Sequence, residues 1–139
     1  MFREINGQRY LLTGDIGYVD DEGFFTLVAR KKEIITIGGY KVFPRQVEEV
    51  LHTHPMIAQA AVIGVIHDRL GEAVMAFIVP KEGEHVKKRE VIQFCKEHMA
   101  GYKVPRIIEF RDKLPTLPTG KVNKRQLKDE YASATQQMA

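Results

Sequence analysis

A chain of 139 residues, 44% hydrophobic and 28% charged, has the composition of a soluble globular protein, long enough for one ordinary domain or for a small domain plus part of a neighbour. A single cysteine, Cys95, excludes an intramolecular disulfide framework, and no Cys/His spacing fits zinc. The net charge of +3 suits phosphate-bearing ligands. There is no signal-peptide pattern, and the longest apolar run, residues 60–66, is too short to cross a membrane, so the expected compartment is the cytoplasm.

Residues 1–29 read as strands around a turn: residues 9–12, residues 17–19, the turn Asp20-Asp21-Glu22-Gly23, and residues 24–28. That is too little sequence to bury a core, and it starts as if cut from a larger unit. After Arg30-Lys31-Lys32-Glu33 the pattern looks self-sufficient. Residues 34–37 form a short strand ended by Gly38-Gly39. Pro44 opens a helix with Val47, Val50 and Leu51 on one face, which His54-Pro55 stops. Residues 60–66 and 73–79 are strand-like runs joined by a polar stretch. Residues 87–99 carry Val91, Phe94, Cys95 and Met99 at helical spacing, with Gly101 just beyond the end. Residues 106–110 alternate as a strand, Asn123 caps a last helix bearing Leu127 and Tyr131, and residues 133–139 are expected to fray. The expected fold is α+β: a small, mainly three-stranded sheet, an additional β-hairpin and three helices.

Several familiar motifs fail on inspection. Gly120-Lys121 is no phosphate-binding P-loop, because Pro115 stands five residues before Gly120 and Val122 replaces the required Ser/Thr. His52 and His54 lack metal-ligand spacing, so no metal site is expected. Lys87-Lys88-Arg89 has no interleaved aromatics and reads as a solvated helix start, not a nucleic-acid surface. Cys95 falls on an apolar helix face, which makes it a core residue and not a nucleophile. The segment that stands out is Leu114-Pro115-Thr116-Leu117-Pro118-Thr119-Gly120-Lys121-Val122-Asn123-Lys124. Its prolines and glycine exclude helix and central strand, and it carries a lysine on a loop expected to be mobile.

Four constellations occur in order: Thr13-Gly14-Asp15; Arg30-Lys31-Lys32-Glu33; Ile37-Gly38-Gly39-Tyr40-Lys41-Val42-Phe43-Pro44 leading to Val47-Glu48; and Pro118-Thr119-Gly120-Lys121. Together they resemble the adenylate-forming superfamily of acyl-CoA synthetases, peptide-synthetase adenylation domains and luciferases. The closest likeness is to its AMP-forming fatty-acyl-CoA ligases. The resemblance covers essentially the whole chain but only the end of the family's sequence. It implies that residues 1–29 are the remnant of a large adenylation domain, residues 30–33 a hinge, residues 34–132 a C-terminal lid domain and residues 133–139 a disordered tail.

The resemblance also implies roles. Asp15 would accept hydrogen bonds from the ribose hydroxyls of ATP, a task suited to an acceptor-only carboxylate. Arg30 would be a second nucleotide contact, and Lys32 the pivot; Ala29 stands where the family frequently has glycine. Lys121 would stabilise charge while an acyl-adenylate forms and pyrophosphate leaves. After the lid rotates, Gly38, Gly39 and Tyr40 would line the tunnel for the pantetheine of CoA, with Tyr102 and Lys103 near its nucleotide end; some members have arginine where Val104 stands. Read without the resemblance, Asp15 stabilises a turn, Arg30 is an exposed arginine, the two glycines end a strand and Tyr102 packs a helix-to-strand connection.

The phosphate loop, the Mg²⁺-binding acidic residue and the acyl pocket of that family lie upstream of these motifs. The implied partners are therefore a missing N-terminal adenylation domain, fatty acid, ATP and CoA, with no nucleic acid and no transmembrane segment. Peripheral membrane contact is left open to the parent enzyme, and the chain alone is expected to be inert. Two alternatives stand beside the fatty-acid ligase: the lid of another acyl- or aryl-CoA ligase or carrier-protein-loading enzyme, and a non-catalytic binding module that keeps the lid fold.

Overall fold

The computed structural model describes residues 2–5, 8–11, 15–19, 21–30 and 33–137. Its first part consists of two antiparallel pairs. Strand β1 (Phe2–Ile5) pairs with β2 (Gln8–Leu11), and β3 (Asp15–Val19) pairs with β4 (Phe25–Arg30) across a ladder interrupted by a bulge between Ile16 and Gly17. Strand β1 has no counterpart in the sequence reading, because four residues with two charges in the middle carry little period-2 signal. Strand β4 runs two residues past Val28, so Arg30 ends a strand instead of opening a charged connection. Leu12, Thr13, Gly14, Asp20 and Lys32, each given a place by the sequence, lie outside the described residues.

The remainder is built on one sheet. Strands β5 (Ile35–Ile37) and β6 (Tyr40–Val42) form a hairpin, helix α1 (Pro44–His52) follows, and β7 (Ile57–His67) and β8 (Gly71–Pro80) form a long second hairpin. Helix α2 (Lys88–His98), a short 3₁₀ turn (Gly101–Lys103), β9 (Ile107–Phe110) and α3 (Lys124–Gln137) complete it. The sheet order is β6-β5-β8-β7, with β9 added parallel to β8 from Met75↔Ile107 to Ile78↔Phe110. The α+β class and the three helices match expectation. The sheet has five strands, because the β5–β6 hairpin joins β7, β8 and β9 through Ile37 and Gly71.

That hairpin turns on Gly38 and Gly39, whose φ values of 53° and 91° are those of a type I′ turn. Both central residues of such a turn need positive φ, which glycine adopts without a Cβ penalty. The apolar run of β8 is buried from Ala73 to Val79, and its alternation divides the core in two. Val74, Ala76 and Ile78 pack with Val47 and Leu51 of α1 and Val91 and Cys95 of α2. Met75, Phe77 and Val79 face the other way, toward Leu114 and Leu127, with Tyr131 against them. Helices α1 and α2 thus cover one face of the sheet and α3 the other. A continuous apolar strand is what burial on both faces requires.

Helix α2 ends at His98, Met99 leaves it in an extended conformation (φ −149°), and Gly101, just beyond the end, starts the 3₁₀ turn. The end of α3 differs from the sequence reading. Helix α3 continues to Gln137, through the residues expected to fray. No glycine or proline interrupts residues 124–137, and Asn123 Oδ1 accepts a hydrogen bond from the Gln126 amide at 3.1 Å to cap the start.

Cys95 is fully buried, and desolvation raises its thiol pKa to about 11. Alkylation by iodoacetamide at neutral pH is expected to be at least about a hundredfold slower in the native chain than in denaturant, because the thiolate is the reactive form. Mass spectrometry of timed samples checks this; equal rates in the two states would place the thiol at the surface.

Candidate functional site

The β5–β6 turn is held from two sides. The Gly38 amide donates to the Leu70 carbonyl at 3.1 Å, and the Thr36 amide donates to Glu72 Oε1 at 3.2 Å. Directly after it, the Tyr40 ring stacks on Tyr102 with centroids 4.8 Å apart and planes inclined by 23°. The Lys103 ammonium lies 5.8 Å from the Tyr102 ring centroid. Tyr40 and Tyr102 remain 61% and 38% exposed, so the pair is a surface platform and not a core contact. A stacked aromatic pair contributes about 0.5–1.5 kcal/mol beyond its buried area. Lys103 also lines a groove between α1 and the C-terminal end of α2, with Val50, Thr53 and Met99.

Gly38, Gly39, Tyr40, Tyr102 and Lys103 are therefore brought together from two distant stretches of chain. Flat rings beside an ammonium suit a ligand carrying both an aromatic base and phosphate. The glycines have open space around them: a Cβ at either would meet nothing within 4 Å. Tyr40 already covers one face of the Tyr102 ring.

Lys121 stands elsewhere, on the loop between β9 and α3. The sequence suggested a mobile loop; the structure shows a hydrogen-bonded miniature hairpin. The Leu117 amide donates to the Lys121 carbonyl at 2.7 Å, Gly120 to Leu117 at 2.8 Å and Asn123 to Pro115 at 2.8 Å. Thr116 and Val122 form an antiparallel bridge. Gly120 adopts φ 90°, the left-handed conformation this tight reversal needs. The Lys121 side chain is exposed, and it forms no ion pair among the described residues. Nor does any hydrogen bond or ring contact among them join this hairpin to the Gly38-Gly39 turn.

Asp15 and Arg30 are partners across the β3–β4 ladder, so the two implied nucleotide contacts sit side by side along the backbone. Sequence reasoning missed a third feature. The Lys124 ammonium lies 3.0 Å from Glu48 Oε2 and 3.5 Å from Glu33 Oε2, and the same Glu48 oxygen accepts the Val62 amide at 3.0 Å. Nothing in the local sequence signals this cluster, because its members come from the lead-in to β5, from α1 and from the start of α3. His52 and His54, set aside as ligands, accept the Ala60 and Met56 amides at 3.2 and 3.1 Å. Among the described residues there is no group of three or more His, Cys, Asp or Glu placed to hold a metal ion, and no helix long and apolar enough to cross a membrane.

Known proteins resemble this chain over most of its length. Residues 46–121 match the family described as the AMP-binding enzyme C-terminal domain. A long-chain-fatty-acid–CoA ligase of Bacillus subtilis is 46% identical over 121 residues, covering 87% of this chain and 22% of that protein. An oxalate–CoA ligase of Saccharomyces cerevisiae is 40% identical over 128 residues, covering 92% and 24%. Among solved structures, ATP-bound MatB from Rhodopseudomonas palustris superposes with a TM-score of 0.85 at 31% identity, covering 91% of this chain and 25% of that one. This chain thus spans about a quarter or less of the proteins it resembles. The family match covers more than half of it, and the chain belongs to the C-terminal domain family of AMP-binding, adenylate-forming enzymes.

Proposed function

We propose that this chain is the C-terminal lid, with the adjoining end of the large domain, of an AMP-forming fatty-acid–CoA ligase. The parent joins fatty acid and CoA at the expense of ATP, through an acyl-adenylate, releasing AMP and pyrophosphate. Residues 1–29 belong to the large domain, residues 30–33 form the hinge around Lys32, and the lid begins at residue 34. The parent works in the cytoplasm.

The observation that carries this reading is the meeting of Gly38, Gly39 and Tyr40 with Tyr102 and Lys103 on one surface, while Lys121 occupies a separate hairpin. Two unconnected functional surfaces on one small domain suit an enzyme that presents them in turn. In adenylation Lys121 lies against the carboxylate and the α-phosphate. It acts as fixed positive charge and not as a base, since a carboxylic acid is already ionised at neutral pH. Asp15 accepts from the ribose hydroxyls, and Arg30 is a second nucleotide contact. In thioester formation the Gly38-Gly39 turn lines the pantetheine tunnel, Tyr40 stands at its wall, and Tyr102 and Lys103 meet the nucleotide end of CoA. Mg²⁺ would be held by the large domain.

Since the phosphate loop and acyl pocket belong to the large domain, ATP–pyrophosphate exchange by the purified 139-residue chain with a long-chain fatty acid is expected to be undetectable. Measurable exchange would overturn the assignment as a lid. A second reading, in which the parent activates a different carboxylic acid, draws support from the oxalate–CoA ligase relative at 40% identity. Assaying the full-length enzyme with a long-chain fatty acid and with a short dicarboxylic acid separates the two.

A further inference from the structure

The cluster of Lys124, Glu48 and Glu33 is unused by the chemistry above, and its construction is specific. Lys124 is the first residue of α3, where a cation opposes the helix dipole, and the first turn of that helix holds no acidic residue to offset it. Its ammonium is nevertheless withdrawn to 18% side-chain exposure between two carboxylates. Glu48, at 17%, is a rigid post, because its Oε2 also accepts the Val62 amide of β7. Glu33 is more exposed, at 39%, and its contact is the longer one. Lys124 follows Lys121 by three residues, and the hairpin holding Lys121 closes on Asn123, its immediate neighbour.

We infer that Lys124 is a positioning residue for Lys121: paired with Glu48 and Glu33, it fixes where the Lys121 hairpin stands relative to α1 and the start of β5. The inference rests on the catalytic reading of Lys121 given above. Glu48 anchors the base of the hairpin to the body of the domain, and partial burial makes that charge pair stronger than an exposed one. Glu33, the last residue of the hinge segment, holds the same ammonium at 3.5 Å. Rotation at the hinge can open the Glu33 contact while the Glu48 contact persists. Because Lys121 serves only adenylation in the reading above, loss of the tie is felt in that half-reaction.

Lys124→Met removes the charge and keeps the stem, whereas Lys124→Arg keeps a cation. In the 139-residue chain, Lys124→Met is expected to speed amide exchange about tenfold at Leu117, Gly120 and Asn123 while Ile63 and Phe77 in β7 and β8 keep their protection. In the full-length enzyme the same change should slow acyl-adenylate formation by about tenfold to a hundredfold, as small misplacements of a reacting group do, and leave thioester formation from preformed acyl-adenylate unchanged. Lys124→Arg should restore most of both effects. Unchanged hairpin exchange together with normal adenylation in Lys124→Met would overturn the proposal. Should Lys124→Met also loosen β7 and β8, Glu33→Gln decides, since it leaves the Glu48 post intact: faster exchange at the three hairpin amides supports the tie, and no change overturns it. Normal adenylation by Lys121→Ala would instead sink the reading of Lys121, and the exchange data would still decide whether Lys124 holds the hairpin.

Discussion

Lys121→Ala in the full-length enzyme is expected to slow acyl-adenylate formation by about a thousandfold and to leave thioester formation from preformed acyl-adenylate nearly intact. The size follows from electrostatics. An ammonium about 4 Å from an anion gains roughly 4 kcal/mol at an effective dielectric near 20. If that is realised only in the transition state, it is worth about three powers of ten in rate. Folding should not suffer, because the side chain is exposed and the hairpin is closed by backbone groups. Rapid-quench measurement of each half-reaction checks the result. Equal slowing of both would replace alternation of two surfaces with simple destabilisation of the lid.

Gly39→Leu should show the opposite bias, with thioester formation lost by about a hundredfold or more and adenylation largely kept. The Cβ would enter open space, since nothing lies within 4 Å of it, and that is the space assigned to pantetheine. A second effect comes from the backbone: φ of 91° is strained for any residue with a Cβ, at a cost of order 1–3 kcal/mol. The two effects separate by measurement. Strain lowers the melting temperature of the 139-residue chain, whereas obstruction appears only in the CoA-dependent step. A variant that melts early and slows both half-reactions alike would assign Gly39 to the turn alone.

Much of the fold was legible because its signals are local. Pro44 at the start of α1, the apolar stripe of α2, the Asn123 cap and the unbroken apolar run of β8 each declare themselves within a few residues. Strand β6 was not legible: three residues, two of them exposed, acquire strand structure only by pairing with β5. The end of α3 was misplaced because residues 133–137 carry no apolar stripe, while their alanine and glutamines have high helix propensity and continue the helix without one.

For the candidate site, residue types and their order are properties of the sequence. The chain by itself determined that Gly38-Gly39 ends a short strand, since consecutive glycines punctuate regular structure. It also determined that Gly120-Lys121 sits on a loop flanked by prolines. Tertiary structure alone decided that Tyr40 stacks on Tyr102 and that Lys124 is clasped by Glu48 and Glu33. The physical reason is range. Backbone conformation is set by sterics within a few residues, whereas a ring stack or a shared ammonium exists only after the sheet has brought distant segments within contact distance.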